Sequence, residues 1–313
     1  MPWATVTTRH GPRIGLVHDD GIRIAHDDRT MIDLIQGGRA MIGTLARELL
    51  NRPFEVVGQD DARVQSPIPR PPAIRDALCF LEHMRGCMRA LGRSDQLAPV
   101  WEEIPAFYFG NPASVIGPYA DAQVSPGAQW WDLELEVGVV ISKPARDISV
   151  TEAGGHIAGY TFFCDWTARD LQVKDLEMGL GQGKGKDGAT TLGPWLVTAE
   201  EVADHTRDGR LDLRVAATVN GETLATGSTA DMDWTFEQVI AFASRGTELA
   251  PGDIIGSGTI PGGCLLEHAT AQTLADEKTW LRVGDEVSLH GEALGATRQR
   301  VTASAKPHPL HLS

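Results

Sequence analysis

One eleven-residue segment, residues 131–141, constrains the fold of this chain more than any other. Apolar residues occupy its odd positions up to 139, and acidic residues occupy three even positions, Asp132, Glu134 and Glu136. Side chains of a β-strand point alternately to its two faces, so the three carboxylates would share one face, about 6–7 Å apart. The pattern therefore predicts a β-strand with one apolar and one acidic face.

The residues alone leave two interpretations of the acidic face. The strand could be half-buried, with its polar face in water. Alternatively, the carboxylates could surround a cation, because Asp and Glu are poor strand formers and neighbouring like charges repel each other. Hard divalent cations such as Mg²⁺ or Ca²⁺ take oxygen ligands of this kind. Two carboxylates do not complete such a site, so further ligands would have to come from elsewhere in the chain.

Outside this segment, short apolar runs broken by turn residues predict a mainly β chain of the α+β class. Residues 14–25 predict a hairpin with an Asp-Gly turn. Helices are predicted at residues 31–50, 75–91 and 235–244. Further strands are predicted at residues 157–164, 211–219, 253–257 and 286–289.

A proline-rich stretch at residues 66–72 predicts a domain boundary, because proline interrupts regular structure and is common in linkers. We expect a small N-terminal domain over residues 1–68 and a larger domain over residues 69–313.

The charge of the chain limits its partners. It has 28 Lys and Arg against 42 Asp and Glu, a formal net charge of −14. Nucleic acids and anionic membranes require a basic face, so neither is an expected partner. The first residues lack the apolar core of a secretory signal, and the four cysteines are spaced for neither a metal site nor disulfides. These features predict a cytoplasmic protein.

A second polar segment, residues 164–172, follows an apolar run. Asp165 stands where that run ends, so it could be either a helix N-cap or a site carboxylate. Arg169 and Gln172 are three residues apart and would project from one side of a helix. A cation beside an amide suits a substrate carboxylate, although such polar pairs are common on protein surfaces.

Four motifs together resemble the fumarylacetoacetate hydrolase family over about residues 76–289. They are Glu134-Leu-Glu136, the run Cys-Asp-Trp-Thr-Ala-Arg-Asp-Leu-Gln at 164–172, the run from Lys184 to Trp195, and Ser-Gly-Thr-Ile-Pro-Gly at 257–262 followed by Leu-Leu-Glu at 265–267. The resemblance implies a mixed β-roll catalytic domain preceded by a small β-containing domain. It also implies a homodimer, which is frequent in the family.

The resemblance further implies roles for individual residues. A divalent cation, Mg²⁺ or alternatively Mn²⁺ or Ca²⁺, would be bound by Asp76, Glu134, Glu136 and Asp165. The catalytic residues would be His83 as general base, Glu267 as the carboxylate that orients it, and Lys186 at the oxyanion. The substrate would be contacted by Arg169, Gln172, Tyr108 and Thr259. Arg169 would either balance the ligand carboxylates or bind a substrate carboxylate.

The chain also departs from family patterns at two positions. Leu78 replaces a tyrosine of the animal-type hydrolases, so substrate contacts would differ. Gly86 stands where the acylpyruvase and decarboxylase branch has a glutamate, which favours the dyad of His83 and Glu267.

The implied function is a metal-dependent hydrolase that cleaves a C–C bond of a 1,3-diketone or acylpyruvate-type acid through a metal-stabilised enolate. The dyad of His83 and Glu267 would activate water. One alternative is a decarboxylase, hydratase or tautomerase of a β-keto acid that uses the same chemistry. A second alternative is a metal-binding family member without catalytic activity.

Overall fold

The structure, a computed structural model, describes residues 1–61, 63–179, 181–208 and 210–310. Its α-helices are α1 (Met31–Asn51), α2 (Leu81–Ala90), α3 (Val100–Glu103), α4 (Val150–Ala153), α5 (Arg169–Glu177) and α6 (Phe236–Ala243). Short 3₁₀ helices cover Pro112–Ser114, Gly154–His156, Lys184–Lys186, Thr229–Asp231, Leu265–His268 and Glu277–Thr279.

The strands of the first half of the chain are β1 (Pro2–Thr8), β2 (Gly11–His18), β3 (Gly21–Ile24), β4 (Glu55–Val57), β5 (Val64–Gln65), β6 (Ile74–Ala77), β7 (Phe107–Gly110), β8 (Val115–Ile116), β9 (Ala122–Gln123), β10 (Trp131–Asp132), β11 (Leu135–Ile141) and β12 (Ala145–Arg146). Those of the second half are β13 (Ile157–Ala168), β14 (Ala189–Thr198), β15 (Thr206–Arg207), β16 (Arg210–Leu211), β17 (Arg214–Val219), β18 (Glu222–Ser228), β19 (Glu248–Leu249), β20 (Ile254–Gly256), β21 (Glu286–Gly291) and β22 (Gly295–Thr302). The prediction of a mainly β, α+β chain is confirmed.

A thirteen-stranded sheet forms the centre of the fold, with the strand order β4-β3-β2-β1-β14-β13-β11-β20-β6-β7 along its main path. Strands β5, β8 and β10 pair beside this path. The N-terminal strands belong to the same sheet, because β1 pairs with β14 and places Trp3 opposite Leu196. The division of the chain at residue 68 stays a prediction.

Both faces of the large sheet are covered. A five-stranded sheet, in the order β18-β17-β21-β22-β9, packs on one face, where Phe162 of β13 joins a core cluster with Val215 and Leu289. Helix α1 contributes Leu34 and Leu49 to a second cluster with residues of the large sheet. The middle strands therefore have no face in contact with water.

This double coverage decides between the two interpretations of the acidic strand. Every residue of β11 is buried, and Glu136 is 0% exposed, so the half-solvated strand is wrong. The strand is also interrupted at residues 133–134. Near this break, the backbone N–H of Leu135 donates to the carbonyl of Gly263, and the backbone N–H of Asp165 donates to the carbonyl of Glu134.

Among the predicted helices, the one at 75–91 is wrong at its start. Residues Ile74–Ala77 form β6, a fully buried strand parallel to β20, and the helix begins only at Leu81. The hairpin is confirmed, as are the helices at 31–50, which Gly38 interrupts at φ 63°, and at 235–244, whose N-cap is Thr235.

Among the described residues, no helix combines the length and the apolar character needed to cross a membrane.

The close approach of β13 and β14 requires a glycine at position 159. A Cβ on Gly159 would lie 2.8 Å from the carbonyl carbon of Val197 and 2.9 Å from Cα of Thr198. Because these neighbours are backbone atoms, Gly159→Ala is expected to lower the free energy of unfolding by at least about 2–3 kcal/mol. Chemical denaturation measures this loss.

Gly43→Ala in α1 is the matched control, since the nearest atom to its new Cβ would be a flexible arginine nitrogen 3.9 Å away. This variant is expected to raise stability by about 0.5–1 kcal/mol. Equal effects of the two substitutions would contradict the packing described for β13 and β14.

Candidate active site

Two carboxylates converge across a strand that carries no side chain between them. Asp76 on β6 and Glu136 on β11 flank β20, whose Gly256 pairs with Asp76 on one side and Gly138 on the other. A Cβ on Gly256 would lie 2.5 Å from Oδ1 of Asp76 and 2.7 Å from Oε2 of Glu136. Glycine at this position therefore lets the two carboxylates approach each other.

Glu134 and Asp165 complete the cluster of predicted metal ligands. Oxygen atoms of Asp76, Glu134 and Glu136 lie within 4.8 Å of one another. Asp165 is linked to this group through Tyr108, whose hydroxyl donates to Asp76 at 2.7 Å and also contacts Asp165. Asp165 lies within β13 and not at a helix start, so the N-cap interpretation is wrong. All four carboxylates are buried.

Burial shapes the electrostatics of the cluster. It raises the pKa of Asp76 and Glu136 above the usual range, and it raises that of Asp165 to about 8. The charges of neighbouring carboxylates raise the pKa of Glu136 and Asp165 further, whereas the interaction with Glu136 and the charge of Lys186 partly oppose the effect of burial on Asp76. Burial acts on Glu134 in the same direction, but the charges of Lys186 and Arg169 lower its pKa below the usual value. Among the described residues, the positive charge near three of the four carboxyl groups therefore does not offset the effect of burial on their pKa.

The donor set fits a divalent cation. It consists of carboxylate oxygens, the ligands that Mg²⁺, Mn²⁺ and Ca²⁺ prefer. Oδ1 of Asp76 is buried and accepts no hydrogen bond from the described residues. Buried polar atoms are almost always hydrogen-bonded, so an oxygen left without a partner in such a cluster suits a metal ligand.

Two buried cations border the cluster. Nζ of Lys186 donates to Asp165 at 2.6 Å, contacts Glu134, and donates to the hydroxyl of Thr167 at 2.8 Å. The guanidinium of Arg169 donates to Asp132 at 2.8 Å and to Glu134 at 2.7 Å. This geometry supports the charge-balancing role of Arg169.

Asp132 has a role that the alternating pattern does not indicate. It accepts hydrogen bonds from the backbone N–H groups of Leu265 (2.8 Å) and Leu266 (3.2 Å) and from Arg169. It therefore connects the carboxylate cluster to the 3₁₀ helix Leu265–His268, which carries Glu267. No local pattern indicates this contact, because Asp132 and Leu265 are 133 residues apart in the sequence.

The predicted dyad is formed in the structure. Nδ1 of His83, on α2, lies 2.6 Å from Oε1 of Glu267, and the backbone N–H of Gly262 donates to Oε2 of Glu267 at 3.0 Å. Nε2 of His83 lies 3.8 Å from Oε1 of Glu134. Burial lowers the pKa of His83, but its interactions with Cys264 and Glu267 outweigh burial and raise it to about 10.

The absence of a side chain at Gly86 leaves room for the carboxylate of Glu267. A Cβ at position 86 would lie 2.6 Å from Oε2 of Glu267 and 3.1 Å from its Cγ. The residue that departs from the decarboxylase branch is therefore the one that leaves room for Glu267 beside His83.

A cavity of about 240 Å³ opens onto these groups. Its lining includes most of the predicted site residues: Asp76, His83, Tyr108, Glu134, Glu136, Arg169, Gln172, Lys186 and Thr259. Asp165 and Glu267 lie behind this lining, in contact with Lys186 and His83. The hydroxyl of Thr259 donates to Glu136 at 3.4 Å. The side-chain amide of Gln172 donates to Gln182 at 3.1 Å.

Beyond the predicted site residues, the cavity lining is mostly apolar, with Gln182 and one further arginine among its polar members. Leu78, Met84, Leu91 and Leu176 line the cavity, together with the exposed Arg93. An adjoining cavity of about 140 Å³ shares Arg93, Leu91 and Leu176. Arg93 was not among the predicted site residues, because an arginine in a polar, turn-rich stretch gives no signal of its own.

Comparisons with known proteins agree with the motifs. The family model described as Fumarylacetoacetate (FAA) hydrolase C-terminal matches residues 73–302. Oxaloacetate tautomerase FAHD2A, mitochondrial, from Homo sapiens is 30% identical over 299 residues, covering 93% of this chain and 88% of that protein. The 2,4-didehydro-3-deoxy-L-rhamnonate hydrolase of Sphingomonas sp. (strain SKA58) is 33% identical over 198 residues, covering 63% of this chain and 65% of that protein.

A solved structure confirms the fold. Maleylpyruvate hydrolase from Sphingobium sp. SYK-6, in complex with manganese(II) ion and pyruvate, is similar with a TM-score of 0.70 and 20% identity, over 96% of this chain and 100% of that chain. The predicted family fold is therefore the observed one.

Because the carboxylates are crowded together, removal of one of them is expected to stabilise the metal-free protein. With EDTA present, Asp76→Asn is expected to raise the free energy of unfolding by about 1–3 kcal/mol, because the amide removes a buried charge and can donate to Glu136. Mn²⁺ is expected to raise the melting temperature of the wild type and not that of the variant, since only bound ligand stabilises the fold. Calorimetry with and without Mn²⁺ measures both effects.

Asp253→Asn is the matched control, because Asp253 is a buried carboxylate with a cationic partner, Arg75, at 3.4 Å. Its removal is expected to lower stability by about 3–5 kcal/mol and to leave the response to Mn²⁺ intact. If Asp76→Asn is destabilised in the same way and still responds to Mn²⁺, the cluster is not a metal site.

Proposed function

The chain belongs to the fumarylacetoacetate hydrolase family, and from this premise we propose that it is a divalent-metal-dependent hydrolase that cleaves a carbon–carbon bond of a 1,3-diketone or acylpyruvate-type acid. The observation that carries the proposal is the pairing of His83 with Glu267 beside the buried carboxylates, in one cavity. Hydrolysis requires an activated water, and this dyad is the arrangement that activates one.

Asp76, Glu134, Glu136 and Asp165 are the proposed ligands of the cation, for which we propose Mg²⁺, with Mn²⁺ or Ca²⁺ as alternatives. The manganese in the structurally similar maleylpyruvate hydrolase supports a divalent ion in this fold. When bound, the ion would polarise the carbonyl oxygens of the keto acid as a Lewis acid and oppose protonation of His83 by its charge.

His83 would act as the general base. Its Nδ1–H donates to Glu267, which fixes the ring so that Nε2 faces the carboxylate side of the cavity. Nε2 would take a proton from water while the water oxygen bonds to the carbonyl carbon. The C–C bond to the neighbouring fragment then breaks, its electron pair leaves with that fragment as an enolate, and the enolate takes back the proton that Nε2 of His83 had accepted.

Lys186 would stabilise the negative oxygen that develops on the attacked carbonyl. Burial lowers its pKa, but the charges of Asp165 and Glu134 outweigh burial, raise the pKa above its usual value and keep the ammonium protonated. Because Lys186 lines the cavity and its ammonium is held by Asp165, Glu134 and Thr167, its positive charge is fixed in position before substrate arrives. Gln172, Tyr108 and Thr259 would provide further polar contacts to the substrate, and Arg169 would keep Glu134 in place.

The similarity to an oxaloacetate tautomerase favours one alternative. Tautomerisation of a β-keto acid moves a proton between carbon and oxygen, which His83 could perform without attack by water. Decarboxylation and hydration would use the same groups. A catalytically silent metal-binding protein would not need the dyad or the buried lysine, so this third possibility has the least support.

The substitution His83→Ala tests the base. It is expected to lower kcat for acylpyruvate hydrolysis by about 10²–10⁴-fold, since general-base catalysis contributes this much. Glu267→Gln is expected to lower kcat less, because the glutamine can still orient the ring. Loss of ultraviolet absorbance of the diketo acid, with product analysis, measures cleavage in the presence of Mg²⁺.

Retention of near-normal hydrolysis by His83→Ala would contradict the assignment. If the wild type accelerates only the enol–keto exchange of oxaloacetate and cleaves no acylpyruvate, the tautomerase alternative is correct instead.

Arg93 predicts a preference for substrates with a second carboxylate. Arg93→Met is expected to raise KM about 10–100-fold for a dicarboxylic diketo acid, because a charged hydrogen bond contributes about 1.5–3 kcal/mol. Its effect on kcat is expected to be small, since Arg93 is exposed whereas His83 and Lys186 are buried.

The control is Arg89→Met, because Arg89 is paired with Glu82 and Asp95 on the surface and does not line the cavity. Arg93→Met would also leave KM unchanged for an analogue with a methyl group in place of the distal carboxylate. An equal rise in KM for both compounds would show that Arg93 does not recognise this carboxylate.

Assembly as a homodimer and a cytoplasmic location stay predictions.

A further inference from the structure

Two cysteines that are distant in the sequence meet beside the proposed base. Cys87 lies one helical turn after His83 on α2, and Cys264 precedes the 3₁₀ helix that carries Glu267. The sulfur atoms and a ring nitrogen of His83 all lie within 4.8 Å of one another, and all three side chains are buried. The proposed hydrolysis uses neither thiol.

The separations of these atoms approach those of a tetrahedral metal site. Zinc binds sulfur at about 2.3 Å and nitrogen at about 2.0–2.1 Å, so two ligands are about 3.6 Å apart for N and S and about 3.8 Å apart for two S atoms. Sγ of Cys87 lies 3.7 Å from Nε2 and 3.8 Å from Nδ1 of His83, so in this structure it is not aligned with the lone pair of either nitrogen. A rotation of the imidazole would turn one nitrogen toward an ion held by the two sulfurs. Sγ of Cys264 lies 3.6 Å from Oε1 of Glu267, which could supply a fourth ligand.

We propose that His83, Cys87 and Cys264 form a binding site for a thiophilic divalent cation, with Zn²⁺ as its representative, separate from the carboxylate cluster. The two sites select different ions, because thiolate and imidazole favour borderline and soft metals whereas carboxylate oxygens favour hard ones. Binding would displace to solvent the protons of both thiols and one ring proton of His83, whose pKa is raised to about 10, and would form two metal–sulfur bonds and one metal–nitrogen bond.

The cavity gives such an ion a path to the site. Cys87 lines the cavity, and so do Met84 and Met88 on the same helix, which present soft thioether sulfurs along the way. Cys264, by contrast, is fully buried and lies at the inner end. The ion would therefore enter from the substrate side.

Occupancy of this site would inhibit the enzyme, because a nitrogen of His83 bound to metal cannot take a proton from water. This consequence alone rests on the proposed function. Hard cations at the carboxylates would support turnover, whereas thiophilic cations at the second site would suppress it.

Spectroscopic titration with Co²⁺ tests the site independently of activity. The full chain is kept reduced with a phosphine, and excess Mg²⁺ occupies the carboxylate cluster. The wild type is expected to develop a near-ultraviolet thiolate-to-cobalt charge-transfer band together with the intense visible bands of tetrahedral cobalt. Cys87→Ala and Cys264→Ala are each expected to weaken cobalt binding by more than about tenfold. Substitution of a residue that only supports a metal ligand already lowers metal affinity by about 10–100-fold, so removal of a ligand should cost at least as much.

Cys164→Ala is the matched control, because Cys164 is a buried thiol of the core cluster that is not part of this group. It is expected to keep the band. Circular dichroism verifies folding, and Cys87→Ser serves as a second variant at the least buried of the three positions. Absence of the band in the wild type, or its persistence in both Cys87 and Cys264 variants, would overturn the proposal.

Inhibition of acylpyruvate cleavage by Zn²⁺ under excess Mg²⁺ separates the two proposals. The zinc concentration for half-inhibition is expected to rise more than about tenfold in Cys87→Ala. Equal inhibition of wild type and variant would contradict the inhibitory role. A chain that forms the cobalt band but cleaves no diketo acid would leave the thiophilic site established and the proposed function wrong.

Discussion

The enclosure of four carboxylates in the middle of a sheet is the constraint on which the rest of this structure depends. Asp76, Glu134, Glu136 and Asp165 are all buried, and the cations that touch them are Lys186 and Arg169. Burying like charges together is unfavourable unless a further cation compensates them. In the absence of a metal ion, these four buried carboxylates are therefore expected to destabilise the fold.

Several structural details follow from that constraint. Gly256 removes a side chain where two carboxylates must meet, and Asp132 fixes Arg169 and the turn that carries Glu267. Gly86 leaves room for Glu267 beside His83. These residues contact the proposed ligands and base without taking part in the chemistry, so they position the site.

The sequence predicted the acidic strand because an alternation of period two is a local property. It did not predict that both faces are buried, since burial depends on the five-stranded sheet and on α1, which come from distant segments. The same reason explains why Asp76 was placed on a helix: Ile74–Ala77 is a strand because it pairs with β20 and β7. The family motifs pointed to the proposed ligands and the proposed dyad, but Arg93, Asp132 and the pair of Cys87 with Cys264 are visible only in three dimensions.

The central claim is that the buried carboxylates bind a divalent cation, and anomalous X-ray scattering from crystals grown with Mn²⁺ tests it most directly. The account predicts one strong peak within coordination distance of Asp76, Glu134, Glu136 and Asp165. It also predicts that excess Mg²⁺ removes this peak by competition. A map without a peak at these carboxylates, obtained from crystals in which Lys186 still binds Glu134 and Asp165, would contradict the account.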